Sequence, residues 1–149
     1  MWTRLFYRSW RLLPHRVQDV LVYLAAPKVT LGVAAVIRDG HGCLLLLHHT
    51  YRRPAWGLPG GLARRGEPPQ EALARELREE LGTAARIGPL LQADYSVRRH
   101  HLTLYYHATV AGHLHHSCET DAHHYAAPEE LPGLLGASLP PWLRTLYSA

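Results

Sequence analysis

The chain reads as one domain, an α/β or α+β sandwich, with a helical extension in front. Three observations predict it. Apolar residues recur at steps of three and four through the first 27 positions, the period of an amphipathic helix. From Thr30 the pattern changes to short, nearly continuous apolar runs bounded by glycine and proline, as in strands covered on both faces. Between those runs lies QEALARELREEL, a strongly amphipathic helix. With 149 residues, the chain has the length of a single domain.

The elements follow in order. In MWTRLFYRSWRLLPHRVQDVLVYLAAP, the residues Trp2, Phe6, Trp10, Leu13, Val17, Leu21 and Leu24 form one stripe, and Arg4, Arg8 and Arg11 form another. Pro14 is expected to split this segment or to start its second helix, and Pro27 to end it. TLGVAAVIRD and CLLLLHHT read as a hairpin about the Asp39-Gly40 turn. A loop carrying Pro54, Pro59, Gly60 and Gly61 follows; Pro68 and Pro69 then begin the helix, which stops at Gly82. RIGPLLQADYSV and HLTLYYHATVAG read as a second pair of strands, and short helices are expected from Pro128 and after Pro140-Pro141. Residues 1–28 are thus the extension and 29–149 the domain.

Composition bounds the class. Hydrophobic residues make up 47% and charged residues 19%, which suits a folded globular chain. The formal charge is +4, and Lys28 is the only lysine, so the positive side is nearly all arginine, the side chain that grips phosphate oxygens with a two-pronged fork. Genomic base composition would produce the same bias. Cys43 and Cys118 have no CxxC spacing and read as reduced thiols, which points to a cytoplasmic protein. Charges interrupt the apolar N-terminus, so neither a secretory signal nor a membrane span is expected there.

The helix raises a question of charge. Glu79 and Glu80 each fall within about 60° of Glu76 on its surface, beside the Leu73, Leu77 and Leu81 stripe. Like charges four apart cost a few tenths of a kcal/mol, which a solvated face tolerates. A hard divalent cation would reverse the sign, because it takes oxygen ligands.

The wider stretch, GLARRGEPPQEALARELREELGT, resembles the signature of the Nudix family. Gly61, Glu67, Arg75, Glu76, Leu77, Glu79, Glu80 and Gly82 all match in register, and Thr83 stands where the family prefers a larger aliphatic residue. The preceding WGLPGG also looks like that family's approach to its box. This resemblance implies a Nudix fold, a mixed β-sheet sandwiched between helices, and hydrolysis of a nucleoside diphosphate linked to another group, with Mg²⁺ or Mn²⁺ as cofactor. It implies that Glu76, Glu79 and Glu80 ligate the metal, with the Gly61 carbonyl as a further ligand. Arg75 is expected to orient Glu76 or Glu67, and Glu67 to support the loop. The water's proton goes to a box glutamate or to an acid on a later loop, Glu119 or its rival Asp121.

Substrate contacts are expected from among Arg52, Arg53, Arg64, Arg65, Arg98 and Arg99, which flank the loop or precede a strand, most of the six being solvated. Trp56, Tyr95, Tyr105 and Tyr106 are candidates to stack on a base, Trp56 equally a loop anchor. The proline that follows the box in ADP-ribose hydrolases is absent, Arg98 standing there, so a (d)NTP and a nucleotide sugar such as ADP-ribose both stay open. Eight of the twelve histidines lie between His100 and His124 without a dedicated metal-ligand spacing. The expected partner is a small nucleotide, with no nucleic acid. The front helix either packs on the domain, pairs with a second subunit in a homodimer or, ranked last, touches a membrane surface through residues 1–26. The rivals to an enzyme are a nucleotide-sensing module of the same fold and a membrane- or partner-tethered adaptor.

Overall fold

The computed structural model describes residues 10–51, 53–112, 114–115 and 120–147. A helical turn at 10–12 precedes α1 (His15–Ala25), with Pro14 at its N-cap as its fixed φ favours. Gln18 ties the two pieces together, its Nε2 donating to the carbonyls of Trp10 and Leu13 at 2.9 Å each. The expected packing of this apolar stripe on the domain is not what the structure shows. No residue of α1 is buried, and Val17, Leu21 and Leu24 are 41%, 42% and 68% exposed. Tyr23 does lie against Lys28 and, at 5.8 Å from its ring, Arg65. The stripe residues Trp2 and Phe6 lie outside the described residues. None of the helices described is long and apolar enough to cross a membrane.

The domain proper uses two sheets. β1 (Thr30–Val36) lies between β4 (Gly60–Leu62), antiparallel, and β6 (His101–Val110), parallel; β5 (Ala85–Ser96) adds to the far side of β6. β2 (Leu44–His49) is the centre of a smaller sheet, between β3 (Trp56–Gly57) and β7 (Thr120–Ala126). The expected hairpin of β1 and β2 exists only at its turn. Asp39 Oδ1 accepts from the backbone N–H of His41 and Cys43 at 2.9 and 2.8 Å, and Arg38 bridges Leu44. Beyond that the strands part into separate sheets, because both edges of β1 are taken by β4 and β6.

Alternate residues of β1 and β2 face opposite ways, and each set has its own helical cover. Val33, Ala35, Ile37, Leu45 and Leu47 pack on Ala72, Leu73, Leu77 and Leu81 of α2 (Pro69–Leu81). Ala34, Val36, Leu44 and Leu46 pack on Leu131 and Leu135 of α3 (Leu131–Leu135), Leu139, and Leu143 of α4 (Pro141–Tyr147). The near-continuous apolar runs are thus explained by a strand pair buried on both faces.

α2 begins at Pro69, and Gly82 ends it at a left-handed φ of 64°. A methyl group on Gly82 would also come within 2.9 Å of His115 Cβ, whose backbone N–H donates to the Leu81 carbonyl at 2.9 Å. The long edge strand β5 bulges on either side of Leu90, next to Pro89, which has no N–H to give a ladder. Leu77 is fully buried between α2 and the sheet. Leu77→Ala is therefore expected to cost about 2–5 kcal/mol in chemical denaturation. A loss below about 1 kcal/mol would contradict the packing described.

Candidate active site

Two glycines bring the end of β4 close to the sheet and to α2. Gly60 has φ 138°, and a Cβ there would stand 2.2 Å from the Val33 carbonyl oxygen, so only glycine fits. A Cβ on Gly61 would lie 2.5 Å from Cδ of Glu76. The Gly60–Gly61 peptide thus runs directly under the acidic face of α2. Glu80, only 5% exposed, accepts the Gly60 N–H on Oε2 at 2.7 Å, which gives this buried carboxylate a backbone partner. Glu76 and Glu80 therefore stand beside consecutive residues of β4, one turn of helix apart.

Arg75 ties the remaining acids together. Its Nε and Nη2 donate to Glu67 Oε1 and Oε2 at 2.8 and 3.0 Å, a two-pronged ion pair. Nη1 donates to Glu76 Oε1 at 2.8 Å and to Glu79 Oε2 at 3.2 Å, and Nη2 also reaches the Leu62 carbonyl at 3.0 Å. Arg75 thus hydrogen-bonds Glu67 and Glu76 alike, and Glu79 as well. Glu67 also accepts the Arg64 N–H at 2.8 Å, which closes the loop. The Arg75 guanidinium and then the Arg64 N–H pull the Glu67 carboxyl from its ordinary 4.5 down to about 2. In return, Glu67 first and Glu76 after it hold Arg75 well above the ordinary arginine range, against the opposing effect of burial.

Glu79 is the open member of the set, its side chain 51% exposed, with Arg64 Nη2 at 3.4 Å. Among the described residues no three acidic, histidine or cysteine side chains form a ready-made metal cage. The chemistry of the donors nevertheless fits a hard cation: three carboxylates and the backbone of a glycine offer oxygen only. Glu119 and Arg52 lie outside the described residues. Asp121 pairs with His48 Nδ1 at 2.6 Å. Nearby, Thr120 Oγ1 donates to the Glu80 carbonyl at 3.4 Å, so β7 starts against the acidic helix.

A groove leads away from the glycines. A recess of about 240 Å³, lined by Gly32, Gly60, Gly61, His101 and Thr103 among others, shares Ala34, Leu58 and Thr103 with a larger cavity of about 440 Å³. Arg53, Trp56, Arg99 and Tyr105 line the larger one. Trp56 also packs edge-on against His48 and His124, with ring centroids 5.0 and 6.0 Å away, so it is both anchor and wall. Of the expected contacts, Arg53 and Trp56 reach the cavity. Arg64 is engaged by Glu79, and Arg99 rather than Arg98 faces the cavity from the 3₁₀ turn Val97–Arg99. Tyr106 is in the core under α2, and Tyr95 is exposed on β5. Sequence reasoning named Arg98 and Arg99 together, and only the turn tells them apart. It passed over His101 and Thr103, which alternate on β6 and carry no motif.

The chain belongs to the Nudix family: the NUDIX domain pattern matches residues 28–147. Among individual proteins it is similar to an ADP-ribose pyrophosphatase of Mycobacterium tuberculosis, 47% identical over 58 residues. That match covers 36% of this chain and 28% of the relative's length. Its fold is similar to that of the crystal structure of UDP-X diphosphatase (TM-score 0.71, 22% identity, 92% of this chain and 70% of that one). It is also similar to the solution structure of the E. coli ORF135 protein (TM-score 0.60, 29% identity, 82% of this chain and 88% of that one).

The Glu67–Arg75 pair carries a pH signature. Because the folded carboxyl titrates near 2 and the free one at 4.5, its contribution is present above 4.5 and fades as pH falls towards about 2. Glu67→Gln is expected to lower the melting temperature at pH 7, with the gap to the parent protein narrowing between pH 5 and pH 3. A gap independent of pH would mean that the carboxylate is not held by Arg75.

Proposed function

We propose that the chain is a Nudix pyrophosphohydrolase, which uses Mg²⁺ or Mn²⁺ to hydrolyse the pyrophosphate bond of a nucleoside diphosphate linked to another moiety. The observation that carries this reading is the pair Glu76 and Glu80 lying over the Gly60–Gly61 peptide, with Glu79 alongside and Arg75 bracing the set. Glu76, Glu79, Glu80 and the Gly61 carbonyl are the groups that would hold the cation. Bound there, it would offset the charge of the pyrophosphate and make water a better nucleophile. Arg75 and Glu67 orient the carboxylates and do not touch substrate. Water attacks one phosphorus, a new P–O bond forms, the bridging P–O bond breaks, and the departing phosphate carries off the electron pair. The proton goes to a box glutamate, Glu119 or Asp121.

The groove supplies the rest of the binding. Arg53 and Arg99 would hold anionic oxygens, and Trp56 would flank the base or sugar. The names of the similar proteins, ADP-ribose pyrophosphatase and UDP-X diphosphatase, favour a nucleotide sugar over a (d)NTP. Residues 29–149 would form the catalytic domain, acting in the cytoplasm, with residues 1–28 as an appendage.

A panel of nucleotide sugars and (d)NTPs incubated with Mg²⁺ is expected to yield phosphate monoesters from at least one member. Glu80→Gln should lower that turnover by about 100-fold or more while circular dichroism stays unchanged. Nucleotide binding without turnover across the panel would make the chain a sensor instead. Gly61→Ala, which forces the Glu76 carboxylate aside, is expected to weaken the response to Mg²⁺ while the fold persists. An unaltered Mg²⁺ titration would remove Glu76 from the cation site.

A further inference from the structure

His101 opens β6, opposite Thr30 of β1 in the parallel register that also sets Thr103 opposite Gly32. Its ring occupies the space above Gly32, where a methyl group would come within 2.6 Å of Nε2 and 2.9 Å of Cε1. The other ring nitrogen is engaged. Nδ1 lies 2.7 Å from Thr30 Oγ1, and that hydroxyl donates to the His100 carbonyl at 3.4 Å. A hydroxyl has one proton to give. With it directed at the carbonyl, Thr30 Oγ1 would accept from Nδ1–H and leave the neutral ring a lone pair on Nε2, the tautomer on which the proposal below depends. His101 lines the recess formed by Gly32, Gly60 and Gly61, beside the acidic face of α2.

We propose that His101 is a specificity residue: its Nε2 accepts a hydrogen bond from an uncharged donor on the nucleotide next to the pyrophosphate, with Thr30 as the positioning residue that sets the tautomer. The identity of the ligand rests on the hydrolase reading; the state of the ring does not. A ribose hydroxyl and a base N–H share this chemistry. An anionic phosphate oxygen does not, because it has no proton to offer a lone pair. Gly32 belongs to the same device, since any side chain there would push the ring away.

The test uses the full chain with ¹⁵N-labelled histidine. The free protein is expected to show the His101 ring with its proton on Nδ1, and ADP with Mg²⁺ is expected to shift the Nε2 resonance. Loss of that shift with 2′,3′-dideoxy-ADP would assign the donor to the ribose, and its persistence would assign it to the base. On the substrate that the panel identifies, His101→Phe should raise KM by about tenfold, with kcat changed less than about twofold. Thr30→Val and Gly32→Ala should follow in the same direction. A proton on Nε2 in the free protein, a His101 signal unmoved by ADP, or an unchanged KM in His101→Phe would each overturn the proposal. Should no nucleotide be hydrolysed, the enzyme reading fails alone, while the ring's tautomer and its response to ADP still decide the role of His101.

Discussion

One guanidinium organises this molecule's acidic face. Arg75 makes five hydrogen bonds, to both oxygens of Glu67, one each of Glu76 and Glu79, and the Leu62 carbonyl. Without a central cation, three glutamates on adjacent turns would repel and swing outward into water. Arginine suits the task because its donors form a fixed planar fork and it keeps its charge at every relevant pH. The bonds also cross the fold: they tie α2 to the loop before it and to the end of β4, so the helix and the glycine pair hold their distance.

That distance is short, and glycine permits it. Gly60 sits against the Val33 carbonyl and Gly61 against the Glu76 carboxylate. On the adjoining face of α2, Leu73, Leu77 and Leu81 bury against β1 and β2, which fixes the rotation of the helix about its axis. Apolar packing therefore decides which way the acids point, and Arg75 decides how close they stand. The same strand β1 continues to Gly32 and Ala34 on its other face, so the groove and the acidic cluster are two sides of one rigid element.

Much of this was legible in the sequence, for reasons that differ by element. The stripe of leucines and the acids beside it fix the face of α2, since a helix leaves little freedom once its period is known. The burial of β1 and β2 on both faces follows from their unbroken apolar runs. The separation of these strands into two sheets was not legible, because pairing is chosen by distant segments and the local Asp39 turn favours a hairpin either way. β7 was passed over as well: TDAHHYA lacks apolar alternation and is a strand because β2 needs an edge partner. The difference between Arg98 and Arg99 depends on a single 3₁₀ turn, and the link from Thr30 to His101 spans 71 residues of sequence.

The bare flank of α1 has an energetic consequence. An isolated helix shorter than about 12–15 residues is marginal in water, and most helical stability in proteins comes from packing one face. With 11 residues and none buried, α1 draws almost nothing from the sheets behind it. Its backbone amides should accordingly exchange with solvent far sooner than those of α2, whose opening requires the whole domain to come apart.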